Sequence, residues 1–243
     1  MIRFHPSSIG LLMGEAKSVD ISLLPPDLLD IAAKPRKTDA DKELLRPYHE
    51  ISLSAGAKTV LRTMAKEYLF GYHKTVETKF MDKGLACEAE AIRFLNHLWF
   101  KNYEKNTTRL QNDLLTGECD ILDPGIETID TKVSWDLSTF PLLEEDAYDM
   151  MYEWQGRGYM QLYDVPQHRV AHVMLDTPED LIKPWEQREL HEVSHLPQHL
   201  RVTVVTFKRD MKLEDLMNRK LRVAQQYLQD TLVKINLEHR ETA

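Results

Sequence analysis

Apolar side chains recur every three to four residues over several long stretches of the chain and every second residue over shorter ones, so both helices and strands are expected. Helical spacing predicts a short helix at 7–15, opened by Ser7 or Ser8 as N-cap, a second from Ser54 to about Tyr72, and a third from about Lys83 to Phe100. A further helix covers roughly Glu144 to Tyr163. A long one runs from Leu213 to about Leu237 on a stripe that includes Met217, Leu221, Leu228 and Ile235. Two or three strands fall between Thr107 and Val133, turned at Asp123-Pro124-Gly125. Alternating strands follow at Arg169–Leu175 and Arg201–Lys208. Residues 22–50 break the pattern with Pro25, Pro26, Pro35 and Pro47 and a charged run from Lys34 to Lys42, and are read as a loop or mobile arm. Helices flanking a central group of strands make an α/β class. No linker or repeat interrupts the pattern, so residues 1–243 are expected to form one domain.

Composition narrows the class. The 9 glycines and 11 prolines are too few for a collagen-like or low-complexity chain. No apolar run reaches the length of about 18 residues that a membrane span needs. The start, MIRFHPSSIG, lacks the apolar stretch of a secretory signal, so a cytoplasmic location is expected. Cys87 and Cys119 are too few for a disulfide scaffold and fit a reducing compartment. With 31 Lys and Arg against 39 Asp and Glu, the net charge of −8 argues against a non-specific nucleic-acid binder unless basic groups converge locally. Lys58, Arg62, Lys66, Lys74, Lys79 and Lys83 are such a gathering, although taken alone they read as a solvated helix face.

Candidate chemistry begins with a carboxylate on an apolar stripe. Glu88 shares a helical face with Ala91, Ile92, Leu95 and Trp99, where an ionised group is costly unless it is paired; a salt bridge and a metal both satisfy that need. Downstream, Asp120 precedes a turn and Asp130-Thr131-Lys132 follows it. Residues 130 and 132 are two apart and share one face of a strand, so two carboxylates and an ammonium meet on one hairpin, which Glu88 can close from the helix. Oxygen-only donors suit Mg²⁺ or Mn²⁺. A lysine beside them can orient water and offset charge on a phosphate.

Glu88, Asp120 and Asp130-x-Lys132, in helix–strand–strand order, resemble the signature of the PD-(D/E)XK nucleases, and more closely that of phage recombination exonucleases of the lambda and alkaline-exonuclease type. SSIGLLM resembles that family's opening helix, KGLACEAEA its glycine-then-glutamate helix, YEWQGRGYMQLY its post-core helix, and RVTVVTFKRD with the following amphipathic helix its ending. Two positions depart: Cys119 stands where proline is usual, and Asp130 where the lambda enzyme has glutamate.

The resemblance implies a restriction-endonuclease-like core, a central mixed β-sheet flanked by helices, and a metal-dependent exodeoxyribonuclease acting on duplex DNA ends. It further implies processive 5′→3′ digestion, a 3′ single strand handed to an annealing protein, a homotrimeric ring, and action in a bacterial host cytoplasm. Asp120 and Asp130, with the Thr131 carbonyl, would hold one metal; Glu88 with Asp120 would hold part of a second; Lys132 would position water. Gln155 matches the family's glutamine and shares a helical face with Tyr152, though a core amide would look the same. Ser7 would meet a phosphate at a helix N-terminus, or serve only as a cap. Arg62, Lys66 and Lys74 are candidates for a basic wall along the DNA.

A rival class comes from His191-Glu192-Val193-Ser194-His195, which matches the H-E-x-x-H zinc metallopeptidase pattern, with His199 beyond. That chemistry needs one helix through both histidines. Pro197 and the polar surroundings argue for a surface loop instead. A third reading, an inactive structural or DNA-binding member of the nuclease fold, is disfavoured by the intact Glu88, Asp120, Asp130 and Lys132.

Overall fold

The computed structural model describes residues 2–74 and 78–241. Along the chain the first elements are α1 (Pro6–Met13), α2 (Pro26–Ala33), α3 (Asp39–Ile51), α4 (Ala55–Phe70) and α5 (Lys79–Trp99). Four strands follow, β1 (Leu110–Gln111), β2 (Thr116–Gly117), β3 (Ile121–Asp123) and β4 (Glu127–Val133). Then come α6 (Glu144–Ala147), α7 (Met150–Tyr163), β5 (Gln167–Val173), β6 (Val202–Lys208) and α8 (Met211–Glu241). No helix among the described residues is long and apolar enough to cross a membrane. The backbone packs into two compact units.

The first unit holds α1 to α4, residues Asp113–Leu115 and α8. The stripe on α8 buries Met217, Leu221 and Leu228 in the same unit as Ile9 and Leu12 of α1 and Leu61 and Ala65 of α4. Lys220, on the same helix, is buried and donates to the carbonyls of Met13 (3.4 Å) and Gly14 (2.9 Å) at the end of α1. The orphan carbonyls of a helix end thus satisfy a buried ammonium.

Two expectations fail here. Residues 22–50, read as a loop or arm, are largely helical. Pro26 stands in the first turn of α2, where its missing N–H removes no intrahelical bond. The start of α3 is a capping box: Thr38 Oγ1 accepts from the Asp41 N–H at 3.1 Å, and Asp41 Oδ2 accepts from the Thr38 N–H at 2.9 Å. The N-cap of α1 is His5 rather than Ser7 or Ser8, its ring accepting from the Ser7 N–H at 3.3 Å.

The second unit is built on a mixed four-stranded sheet in the order β3-β4-β5-β6, antiparallel except for the parallel β4–β5 pair. Helices α6 and α7 connect that parallel pair. The sheet's two faces are both covered. Ile121, Ile129, Ala171 and Val173 pack against Cys87, Ala91, Ile92 and Leu95 of α5, while Val170, Val205 and Phe207 pack against Ala147 of α6 and Met160 of α7. The mixed sheet flanked by helices agrees with the α/β class read from the sequence. The β3–β4 turn places Gly125 at φ 73, in the left-handed region that a glycine adopts without strain. The single helix expected over Glu144–Tyr163 is broken at Tyr148-Asp149, because the Asp149 carboxylate accepts the Met151 N–H at 2.7 Å and starts α7 afresh.

Candidate functional site

A cavity of about 740 Å³ in the second unit is walled by α5, β4, α6 and α7, and its lining includes Glu88, Asp120, Asp130, Thr131, Lys132 and Tyr152. Three local features gather these side chains. Pairing of β3 with β4 stops at Ile121 opposite Ile129, so the β4 edge beyond it is open. Asp120, just ahead of β3, uses that edge: its Oδ2 accepts the Thr131 N–H at 2.8 Å and the Thr131 hydroxyl at 3.1 Å. The alternation of β4 sends Asp130 and Lys132 toward α7, where the Gln155 amide donates to Asp130 Oδ1 at 3.1 Å. Lys132 Nζ lies 4.8 Å from the centre of the Tyr152 ring, a cation–π contact.

Asp130 is 4% exposed. Its Oδ2 lies 2.6 Å from Lys132 Nζ, an ion pair whose angle falls outside hydrogen-bond geometry, and it has no hydrogen-bond partner. Burial, reinforced by the neighbouring Asp120 carboxylate, pushes the Asp130 pKa up to about 6 against the pull of Lys132. Asp120 goes the other way. Burial would raise it, but the Thr131 N–H and the Lys105 ammonium outweigh that and hold it below the usual carboxylate range. Lys132 is half-buried, which lowers its pKa, yet Asp130 keeps it above the ordinary lysine value. The pair therefore combines one carboxylate held ionised with one poised near neutrality.

Glu88 is half-buried at the margin of its apolar stripe rather than deep within it. Lys105 spans it and Asp120: the ammonium donates to Glu88 Oε1 and, at 3.0 Å, to Asp120 Oδ1. Sequence reasoning missed Lys105, because it lies in the aperiodic segment 100–109 and no spacing rule reaches it. Its neighbours fix it. Asn96 binds both the N–H and the carbonyl of Tyr103, at 2.6 and 2.8 Å, and the Asn106 N–H donates to the Asp120 carbonyl at 2.8 Å. The hydroxyl of Thr131 was missed as well; the family resemblance implied only its carbonyl.

Among the described residues no three His, Cys, Asp or Glu side chains converge closely enough to form a ready-made metal cluster. The chemistry nonetheless fits: all donors are hard oxygens, the buried Asp130 Oδ2 has a lone pair without a hydrogen bond, and the gap between Glu88 and Asp120 already accommodates a cationic group.

Ser7, Arg62, Lys66 and Lys74 belong to the first unit, whereas the cavity is built by the second. The exposed Ser7 hydroxyl is 2.9 Å from His5 Nδ1, and the exposed Arg62 donates from Nε to Tyr227 OH at 3.1 Å. The basic gathering is not one solvated face. Lys83 is fully buried, its ammonium donating to the carbonyls of Trp135 and Leu175 at 2.8 Å each, and burial pushes its pKa down to about 8. Cys87 and Cys119 are free and buried, as packing residues would be; burial raises the Cys119 thiol to about 12.

The metallopeptidase pattern fails on geometry. No α-helix runs through 191–195; the segment follows a single 3₁₀ turn, Arg188–Leu190. His191 is buried against Trp135, with Nδ1 3.0 Å from the Thr177 hydroxyl, while His195 is exposed. The Asp176 carboxylate fastens the loop through the Val193 and Ser194 N–H groups, at 2.5 and 2.8 Å.

Against solved structures the chain is similar to a phage-related exonuclease from Haemophilus somnus 129PT, at 30% identity over 96% of each chain with a TM-score of 0.79. It is also similar in fold to an alkaline exonuclease from Laribacter hongkongensis, at 10% identity over 79% of this chain and 89% of that one, TM-score 0.60. The same enzyme in complex with dAMP aligns at 12% identity over 78% and 88%, TM-score 0.58. No protein-family model matches the sequence, and no curated protein does.

Proposed function

The chain belongs to the phage-related exonucleases, and from that premise we propose that it is a metal-dependent exodeoxyribonuclease of the PD-(D/E)XK fold, hydrolysing phosphodiester bonds at the ends of duplex DNA. One observation carries the reading: Asp120, Asp130 and Lys132 meet at the wall of a single cavity, with Asp130 Oδ2 buried and without a hydrogen bond. Asp120 and Asp130, the Thr131 carbonyl, and Glu88 with Asp120 are the groups that would hold Mg²⁺ or Mn²⁺, as two ions. When bound, the metal supplies Lewis acidity at the scissile phosphate and lowers the pKa of the attacking water.

The protein's own groups do the positioning. Thr131 fixes Asp120 through two hydrogen bonds, and Gln155 fixes one oxygen of Asp130. Lys132, held between Asp130 and the face of Tyr152, presents its ammonium to orient the attacking water and to offset charge accumulating on phosphate oxygens. The cavity also exposes Phe80, Met81 and Leu85 of α5, apolar surface against which bases or sugars can lie. Family membership supports extending the proposal to processive 5′→3′ digestion by a homotrimer, leaving a 3′ strand for an annealing protein.

Single-turnover cleavage of an end-labelled duplex tests the site. Asp130→Asn and Lys132→Met should each lower the rate by at least about a thousandfold while DNA binding, read by fluorescence anisotropy, persists. A variant that cleaves at the parental rate would remove its residue from the chemistry.

A further inference from the structure

Lys105 has no place in the chemistry set out above, yet it touches both Glu88 and Asp120. Its ammonium is an ion-pair partner of both carboxylates. The backbone on either side is fastened, by Asn96 to Tyr103 and by Asn106 to the Asp120 carbonyl, so the lysine is delivered to this point rather than drifting there. Two facing carboxylates repel each other, and a single cation between them removes the repulsion.

We propose that Lys105 is the site's built-in counter-cation: it holds Glu88 and Asp120 in place while the site is metal-free and yields their oxygens to a divalent cation. The proposal rests on the metal-dependent reading and deepens it. A divalent ion carries twice the charge of an ammonium in a smaller volume, so it wins the shared oxygens once present. The surroundings of each ammonium decide which lysine can leave. The Lys105 side chain is 40% exposed and, on a flexible four-carbon stem, can swing into water. Lys132, 30% exposed, is held by the buried Asp130 at 2.6 Å and by the face of Tyr152, and stays. Lys105 is thus a positioning residue that sets the metal threshold of the site, with no part in bond cleavage.

The test is Mn²⁺ binding without DNA, measured by electron paramagnetic resonance of the free ion, on the parent and on Lys105→Arg, Lys105→Met and Lys105→Glu. Removing the competing charge should tighten Mn²⁺ binding about tenfold in Lys105→Met, a shift of about 1.4 kcal/mol. Lys105→Arg should stay near the parent, and Lys105→Glu should bind at least as tightly as Lys105→Met. The same order should appear in the rise of thermal midpoint on adding Mn²⁺, a readout independent of cleavage. Equal affinity across the series, or weaker binding by Lys105→Met, overturns the counter-cation role while leaving the nuclease reading standing. Absence of Mn²⁺ binding in the parent and in every variant overturns the metal-dependent reading itself, and this proposal with it.

Discussion

Asp130 shows what the site costs the fold. Its pKa stands near 6, against an ordinary aspartate value of 3.8, chiefly because it is buried. The folded protein therefore prefers the protonated form. That preference contributes stability in full below about pH 4 and loses it as pH rises through 6. Asp130→Asn mimics the neutral form at every pH. In EDTA at pH 8 it should raise the thermal midpoint by roughly 5 °C, and at pH 4 it should change it little. Equal shifts at both pH values would show that the carboxylate is not strained by its surroundings. At this scale the sequence was informative where chemistry follows spacing: Asp130 and Lys132 two apart on a strand, and Asp120 across a turn. It was silent on Lys105, whose place is set by the long-range bonds of Asn96 and Asn106, and on the Thr131 hydroxyl, which matters only because β3 ends short of it.

Among the elements, α7 is the one that ties core packing to the site. Gly156 lets it approach β5: a Cβ there would lie 2.4 Å from the His168 ring, which is buried and 2.9 Å from the Thr128 hydroxyl through Nδ1. Gln155, the preceding residue, binds Asp130. Gly156→Ala should therefore cost about 1–3 kcal/mol by overpacking and slow cleavage as Gln155 moves off its carboxylate, both measurable by urea unfolding and single-turnover assay. An unchanged unfolding midpoint would mean that the helix can retreat freely. The major helices and strands were legible because each has a long periodic face. Helices α2 and α3 were not, since prolines near helix starts look like breakers until Thr38 and Asp41 are seen as reciprocal caps. The break before α7 hid for a related reason: Asp149 is a cap in the middle of an apparently continuous pattern.

For the whole molecule, the difficulty is a net charge of −8 on a protein proposed to hold DNA. Basic groups then have to act locally. Arg62 and Lys66 stand exposed on α4 and are proposed, with Lys74, as phosphate contacts. Reversing Arg62 and Lys66 to Glu should shorten the length digested per binding event and flatten the salt dependence of binding by about two counterions, with the rate of each cut little changed; undiminished processivity would remove them from the DNA path. The central claim, end-dependent hydrolysis that needs a divalent cation, is tested most directly by release of acid-soluble nucleotide from a uniformly labelled linear duplex, with a covalently closed circle of the same sequence alongside. With Mg²⁺ the linear form should be consumed and the circle spared, and EDTA should stop release completely. Degradation of the circle at a comparable rate, release that persists in EDTA, or an intact linear duplex in Mg²⁺ would contradict it.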